Sequence, residues 1–128
     1  MFNLEGKVAC VTGGNGGIGL GSRRLAVIDL SDRAAQPMAN EDGAIQFVFN
    51  GEVYNHAEIR AELETLGGHR WRTDYSDTEV VIHASEQWGT GCVERFRGDF
   101  AIALWDSRKD RLWLIRDRAG VKPLYYAH

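Results

Sequence analysis

Asn50-Gly51 follows the apolar alternation Ile45, Phe47, Phe49 and precedes Glu52-Val53-Tyr54-Asn55. An amide side chain and a glycine N–H at a fixed corner suit holding a developing oxyanion with preorganised donors; read alone, Asn-Gly is equally an ordinary strand–turn–helix connection. The alternation predicts a half-buried strand, Ala44–Phe49. Asn-Gly then predicts a tight turn, because glycine tolerates positive φ. Asn55 and Glu58 have capping-box spacing and predict a helix running to about Leu66. A second candidate is the glycine-rich run Thr12–Gly19, with Gly13, Gly17 and Gly19, fed by the apolar strand Lys7–Val11. Such a loop can cradle a pyrophosphate, provided that it opens a helix.

The chain that must position these groups has 128 residues, enough for one core. Its formal net charge of -3 leaves no basic footprint, so nucleic acid is not an expected partner. No apolar run is long enough to span a bilayer, so no membrane partner is expected either. Met1–Lys7 lacks the layout of a signal peptide, and a cytoplasmic setting is the expectation. Cys10 and Cys92 are expected to be buried free thiols. His56, His69, His83 and His128 are scattered without metal-ligand spacing, so no metal is expected.

Along the chain, Leu25–Leu30 reads as a strand and Ser31–Gly43 as a loop ending in an Asp42-Gly43 turn. Ile59, Leu63 and Leu66 form an apolar stripe on the first helix, which Gly67-Gly68 ends. His69–Thr73 reads as a short strand. Ser76 and Glu79 repeat the capping-box spacing before a helix Asp77–Trp88, stopped by Gly89. Cys92–Phe96 suggests a further helical turn or two. Phe100–Trp105 is nearly all apolar and predicts a strand covered on both faces. Leu112–Ile115 completes a hairpin, and Val121–Tyr126 is expected as a final edge strand. Strands, then two helices, then strands make an α+β arrangement.

Gly6-Lys7-Val8, Thr12-Gly13, Gly17 and Gly19 resemble the first strand and glycine loop of short-chain dehydrogenases/reductases. That likeness ends near residue 20. Only Leu20–Arg24 separate the loop from the next strand, too few for the crossover helix of a parallel βαβ unit. Asp29 comes too early for a ribose-binding acid. No Tyr-x-x-x-Lys pair follows. An NAD(P)-dependent reductase fragment, with Gly13, Gly17 and Gly19 as cofactor-binding residues, is therefore the most remote reading.

From about Gly19 onward the chain resembles the class II glutamine amidotransferase domain of glutamine-hydrolysing asparagine synthetases. The segments that carry this are Ser22–Ser31, Gln36-Pro37-Met38, Phe49–Asn55, Ser76–Val80, Phe100–Asp106 and Arg116–Tyr126, in family order. The resemblance implies an N-terminal-nucleophile αββα sandwich, glutamine as the small-molecule substrate, and hydrolysis to glutamate and ammonia. It implies that the Asn50 side chain and the Gly51 N–H form the oxyanion hole. Arg24 would clamp the glutamine α-carboxylate, and Asp77, supported by Glu52, would pair with the α-ammonium. Read without the family, Arg24 is a surface charge beside Arg23, Asp77 a helix-dipole partner and Glu52 a turn residue.

The family's nucleophile is a cysteine at the chain's own N-terminus, with the free α-amine as base. Here Met1 is followed by Phe2, and Cys10 is internal to an apolar strand. The expectation is a domain truncated at both ends: residues 1–20 a reductase-like strand and loop, residues 21–128 a partial amidotransferase domain. A chimera of the two is expected, inactive as a glutaminase, with a non-catalytic glutamine-binding or remnant module as the alternative. No cofactor is expected, since ATP and Mg in the family belong to the synthetase domain. Exposed sheet edges suggest self-association.

Overall fold

The computed structural model describes residues 7–13 and 17–23, as backbone, and residues 36–125. It combines two antiparallel sheets with two α-helices. β1 (Lys7–Gly13) and β2 (Gly17–Arg23) form a two-stranded sheet. β3 (Met38–Ala39), β4 (Ile45–Val53), β5 (Gly98–Asp106) and β6 (Arg111–Arg116) form a four-stranded sheet in that order. Between β4 and β5 run α1 (His56–Leu66), α2 (Asp77–Trp88) and a 3₁₀ helix, Gly89–Arg95. Strands and helices occupy separate runs, as expected.

β4 and β5 are covered on both faces. Phe47, Val48 and Phe49 are consecutive and at most 4% exposed. On one face Phe47, Phe49, Phe100, Ile102 and Leu104 pack with Ile59 and Leu63 of α1 and Val80, Val81 and Ala84 of α2. On the other, Val48, Ala101 and Ala103 are equally buried. The β1–β2 sheet contacts β4 and β5 without joining their sheet, and so covers that second face. The alternation Ile45, Phe47, Phe49 locates the helix-facing side correctly, but Val48 between them is buried too, while Gln46 and Glu52 nearer the strand ends stay exposed.

Several local expectations are corrected. The strand does not stop at Phe49: it runs through Asn50-Gly51 to Val53, and the chain turns at Tyr54-Asn55. Neither Asn55 nor Ser76 caps its helix with a side-chain hydrogen bond. Asn55 bridges to the 3₁₀ segment instead, its Oδ1 accepting the Arg97 N–H at 2.8 Å and its Nδ2 donating to the Arg95 carbonyl at 3.0 Å. Leu66 is 53% exposed and leaves the apolar stripe to Ile59 and Leu63. His69–Thr73 is irregular. Val121–Tyr125 is irregular too, because the Asp117 carboxylate takes the Val121 and Lys122 N–H groups, at 2.9 and 3.0 Å, that a strand would use. Tyr126 and the strand read at Leu25–Leu30 lie outside the described residues. The bounds of α2, the Asp42-Gly43 turn and the β5–β6 hairpin agree with the sequence reading.

Candidate functional site

β3 is only two residues long and pairs with Gln46 and Phe47 of β4. Among the described residues, the β4 backbone beyond it has no neighbouring strand on that edge, and side chains take two of its amides. Gln36 Oε1 accepts the Phe49 N–H at 2.7 Å, and Asp77 Oδ2 accepts the Val53 N–H at 3.2 Å. Gly51 lies midway between these two amides.

Gly51 sits inside the ladder opposite Phe100, with φ of 137°. A Cβ there would stand 2.0 Å from the Asp99 carbonyl oxygen, and one at Gly98 would stand 2.0 Å from the Glu52 carbonyl oxygen. Two glycines thus let β4 and β5 approach at this end. The positive φ that the sequence suggested for a turn is used within a strand, for close backbone contact.

Residues opposite each other in register share a face. Asn50 pairs with Ala101 and Glu52 with Asp99, so both lie on the face away from the helices. Asn50 is half-buried and Glu52 exposed. Asp77, the first residue of α2, reaches the same strand end from the helix side and is 5% exposed. Burial pushes its carboxyl up. The Val53 and Thr78 N–H groups and the His56 imidazole offset this only in part, the Glu52 charge adds to it, and the group stays above its ordinary range. The structure therefore brings Asn50, Gly51, Glu52 and Asp77 to one end of β4. Arg24 lies outside the described residues.

The rim of this end is also built. Tyr54 Oη donates to Asp99 Oδ1, and Lys122 Nζ lies 3.2 Å from Asp99 Oδ2. Asp117 Oδ2 accepts the Phe100 N–H at 3.3 Å, fastening the Asp117–Lys122 loop to β5.

The glycine-rich run takes a different form from a phosphate cradle. Gly13 and Gly17 face each other in antiparallel register, and Gly19 faces Val11. A strand, Gly17–Arg23, stands where the cradle requires the N-terminus of a helix.

A second constellation was not anticipated. Glu79, His83 and Glu86 share one face of α2 at helical spacing, and His69 joins them from the segment before the helix. Glu79 accepts the Arg72 N–H at 2.5 Å, the Thr73 N–H at 2.8 Å and the Thr73 hydroxyl. Burial raises its carboxyl, but His83 and these donors outweigh burial and bring it to about 2. His83 Nδ1 lies 2.9 Å from Glu86 Oε2. Burial lowers the His83 imidazole, yet Glu79, Glu86 and Glu41 hold it above its ordinary value. The signal available in sequence was the spacing Glu79-x-x-x-His83-x-x-Glu86. Only the fold supplies His69.

A family model described as a glutamine amidotransferase domain matches residues 10–128. Asparagine synthetase [glutamine-hydrolyzing] 2 of Bacillus subtilis is 44% identical over 109 residues, covering 85% of this chain and 14% of that protein. A putative asparagine synthetase [glutamine-hydrolyzing] of Mycobacterium tuberculosis is 40% identical over 127 residues, covering 96% of this chain and 19% of that protein. Amidase chry2 of Gibberella zeae is 39% identical over 113 residues, covering 85% and 16% respectively. The chain thus spans less than a fifth of the length of these relatives. The family match begins at Cys10 and runs through Gly17–Gly21, where the sequence reading set its junction, so the comparisons give the reductase-like opening no support. Among the described residues, no helix is long and apolar enough to cross a membrane.

Proposed function

This chain belongs to the glutamine amidotransferase domain family, and on that premise we propose that the end of β4 and the start of α2 form a glutamine-binding site. The observation that carries the reading is Asp77. Its carboxylate is buried and pushed up by that burial, and the donors around it compensate only in part. A substrate α-ammonium placed there supplies the missing positive partner. Glu52, whose charge reaches Asp77, adds to the attraction. Arg24 takes the α-carboxylate in a bidentate fork.

Strand alternation turns the Gly51 N–H toward the same edge as those of Phe49 and Val53. With the Asn50 side-chain amide it makes the oxyanion hole for the side-chain carbonyl of glutamine. Each such donor is worth about 3–4 kcal/mol to a tetrahedral intermediate. The two antiparallel sheets packed face to face support an N-terminal-nucleophile sandwich as the fold of the family domain. In that setting the domain serves an asparagine synthetase-like enzyme by releasing ammonia from glutamine.

The attacking thiol does not come from either cysteine of this chain. Cys92 is buried in the core, and burial pushes its thiol up to about 12. At neutral pH almost none of it is thiolate. Cys10 lies within β1 opposite Leu20, with its amine in a peptide bond. The 128-residue chain by itself therefore binds glutamine without hydrolysing it.

The test is treatment with a diazoketone analogue of glutamine read by intact mass, beside thermal unfolding with and without glutamine. The expected result is no covalent adduct and a glutamine-dependent rise in Tm that Asp77→Ala abolishes. An adduct overturns the inactivity. No response to glutamine in the parent chain overturns the binding site.

A further inference from the structure

We propose that His69, His83 and Glu86, with Glu41 at the rim, bind a divalent transition-metal ion of the zinc type. The ligand atoms of His69, His83 and Glu86 lie within 4.8 Å of one another. Glu86 Oε2 is 2.9 Å from His83 Nδ1 and 3.8 Å from His69 Nδ1, and Glu41 Oε1 is 4.0 Å from His83 Nδ1. A tetrahedral ion with ligands at about 2.0–2.2 Å separates its donors by roughly 3.4 Å. The carboxylate–imidazole distances straddle that value, and the set as a whole spans up to 4.8 Å, so closing the shell draws the ligands together by about an ångström at the widest pair. Two imidazoles with one or two carboxylates suit zinc and its neighbours better than the hard cations calcium and magnesium.

The surroundings hold these ligands in place before any ion arrives. Asn40 Nδ2 donates to Glu86 Oε1 at 2.7 Å, leaving Oε2 to face the imidazoles. Asn40 is itself buried and fixed, its Oδ1 accepting the Ile45 N–H at 3.0 Å. The Arg70 N–H donates to Glu41 Oε1 at 3.0 Å. Glu79 Oε1 stands 3.7 Å from His83 Nε2, on the far side of the ring from Glu86. That is the carboxylate–imidazole–metal order in which an outer carboxylate orients a ligating ring.

An independent observation points the same way. The Nε2 atoms of both His69 and His83 are buried without a hydrogen-bond partner. Buried polar atoms are nearly always paired, so the His83 Nε2 beside the Glu79 carboxylate needs a reason. The His83 ring sits between two carboxylates, its Nδ1 2.9 Å from Glu86 Oε2 and its Nε2 3.7 Å from Glu79 Oε1. When an ion takes Nδ1, the proton resides on Nε2 and faces Glu79 favourably. Binding forms metal–nitrogen and metal–oxygen bonds and releases any proton held at Nδ1 to solvent.

An open recess of about 240 Å³, lined by Asn40, Glu41, Asp42, Gly68, Arg70 and Glu86, gives access from solvent. The α2 ligands of the cluster lie in the second half of the helix, roughly 9 Å (His83) to 13 Å (Glu86) along it from Asp77 at 1.5 Å per residue. The cluster is thus separate from the proposed glutamine site. An ion here ties α2 to the segment before it and to the β3–β4 turn, a structural clamp whose occupancy stabilises the fold by mass action.

The experiment uses the full chain, stripped with chelator. Zn²⁺ is titrated by calorimetry, Co²⁺ by visible absorption, and Tm is read with and without Zn²⁺. Expected are one ion per chain, a tetrahedral Co²⁺ spectrum and a raised Tm. His83 is packed into the interior and its replacement can unfold the chain, so Glu86→Gln and His69→Gln carry the test. Each is expected to keep the parent far-UV circular dichroism and lose both the Co²⁺ spectrum and the Tm response. A Cys10→Ser variant is expected to bind as the parent does. No saturable binding in the parent, binding indifferent to either substitution, or binding lost with Cys10 overturns the proposal.

Discussion

Asp77 and Glu79 stand two residues apart in the first turn of α2, 5% and 2% exposed, and their carboxyl groups are displaced in opposite directions. Burial raises both, and the α2 N-terminus favours both as anions. The difference lies in the company each keeps. Glu79 has the Arg72 and Thr73 amides, the Thr73 hydroxyl and His83. Asp77 has the Val53 and Thr78 amides and a more distant imidazole, with Glu52 opposing them. A buried carboxylate whose donors are all internal stabilises the fold. One whose donors fall short is a place for a ligand to bring the rest.

The sharpest way to break this comparison is to remove the saturated partner. Glu79→Ala strands the Arg72 and Thr73 amides, the Thr73 hydroxyl and the His83 ring at once. Breaking a buried charged network in this way costs about 3–5 kcal/mol. Urea unfolding is expected to show a loss of that size, whereas Asp77→Asn should shift the midpoint far less. Equal losses at the two positions would mean that Asp77 is as fully compensated as Glu79.

A second test bears on why β4 can present Gly51 at all. Gly98→Ala drives a Cβ against the Glu52 carbonyl, and Gly51→Ala adds an unfavourable φ to a clash with Asp99. Both neighbours are backbone, so β4 and β5 must separate. Overpacking of this kind costs about 1–3 kcal/mol, with Gly51→Ala expected at the upper end. Amide exchange of Asn50–Val53 should quicken in both variants. A stability unchanged from the parent in either would show that the two strands approach less closely than described.

These positions also show how much of the molecule could be read from its residues. Asn50 and Gly51 stood out by residue type and Glu52 and Asp77 by the family resemblance, and the fold gathers the four at one end of β4; α2 was legible because Gly89 stops an uninterrupted helical run. Gly51 itself was half legible. Its conformational freedom announced a special backbone position, but sequence cannot tell a turn from a strand pressed against a carbonyl. Leu66 and Val121–Tyr125 were misread for a related reason. Apolar spacing predicts burial only where a partner surface exists, and an edge strand only where its amides are not already taken, here by Asp117. The His69–His83–Glu86 cluster was legible only in its helical half. His69 arrives through the packing of an irregular segment that has no periodicity to read.

The smallest effect is the most discriminating, because it is a matter of sign. Glu79 titrates at about 2 in the folded chain against an ordinary value of 4.5. The unfolded chain therefore binds the proton first, and Glu79's stabilisation, full above pH 4.5, is lost as pH falls toward 2. Asp77 is raised above its ordinary value of 3.8, so its folded form holds the proton more tightly. Its ionisation costs stability as pH rises through and beyond that value, and nothing well below it. Asp77→Asn keeps an acceptor for the Val53 N–H and removes that cost. It should therefore stabilise the chain at neutral pH by no more than a hydrogen bond's worth, about 1 kcal/mol, and the gain should shrink on acidification. Glu79→Gln should instead show its largest deficit at neutral pH and converge on the parent in acid. Unfolding free energies of both variants across this range decide the matter. A neutral-pH loss in Asp77→Asn would place Asp77 with Glu79 as a structural carboxylate and remove the ground for its ligand role.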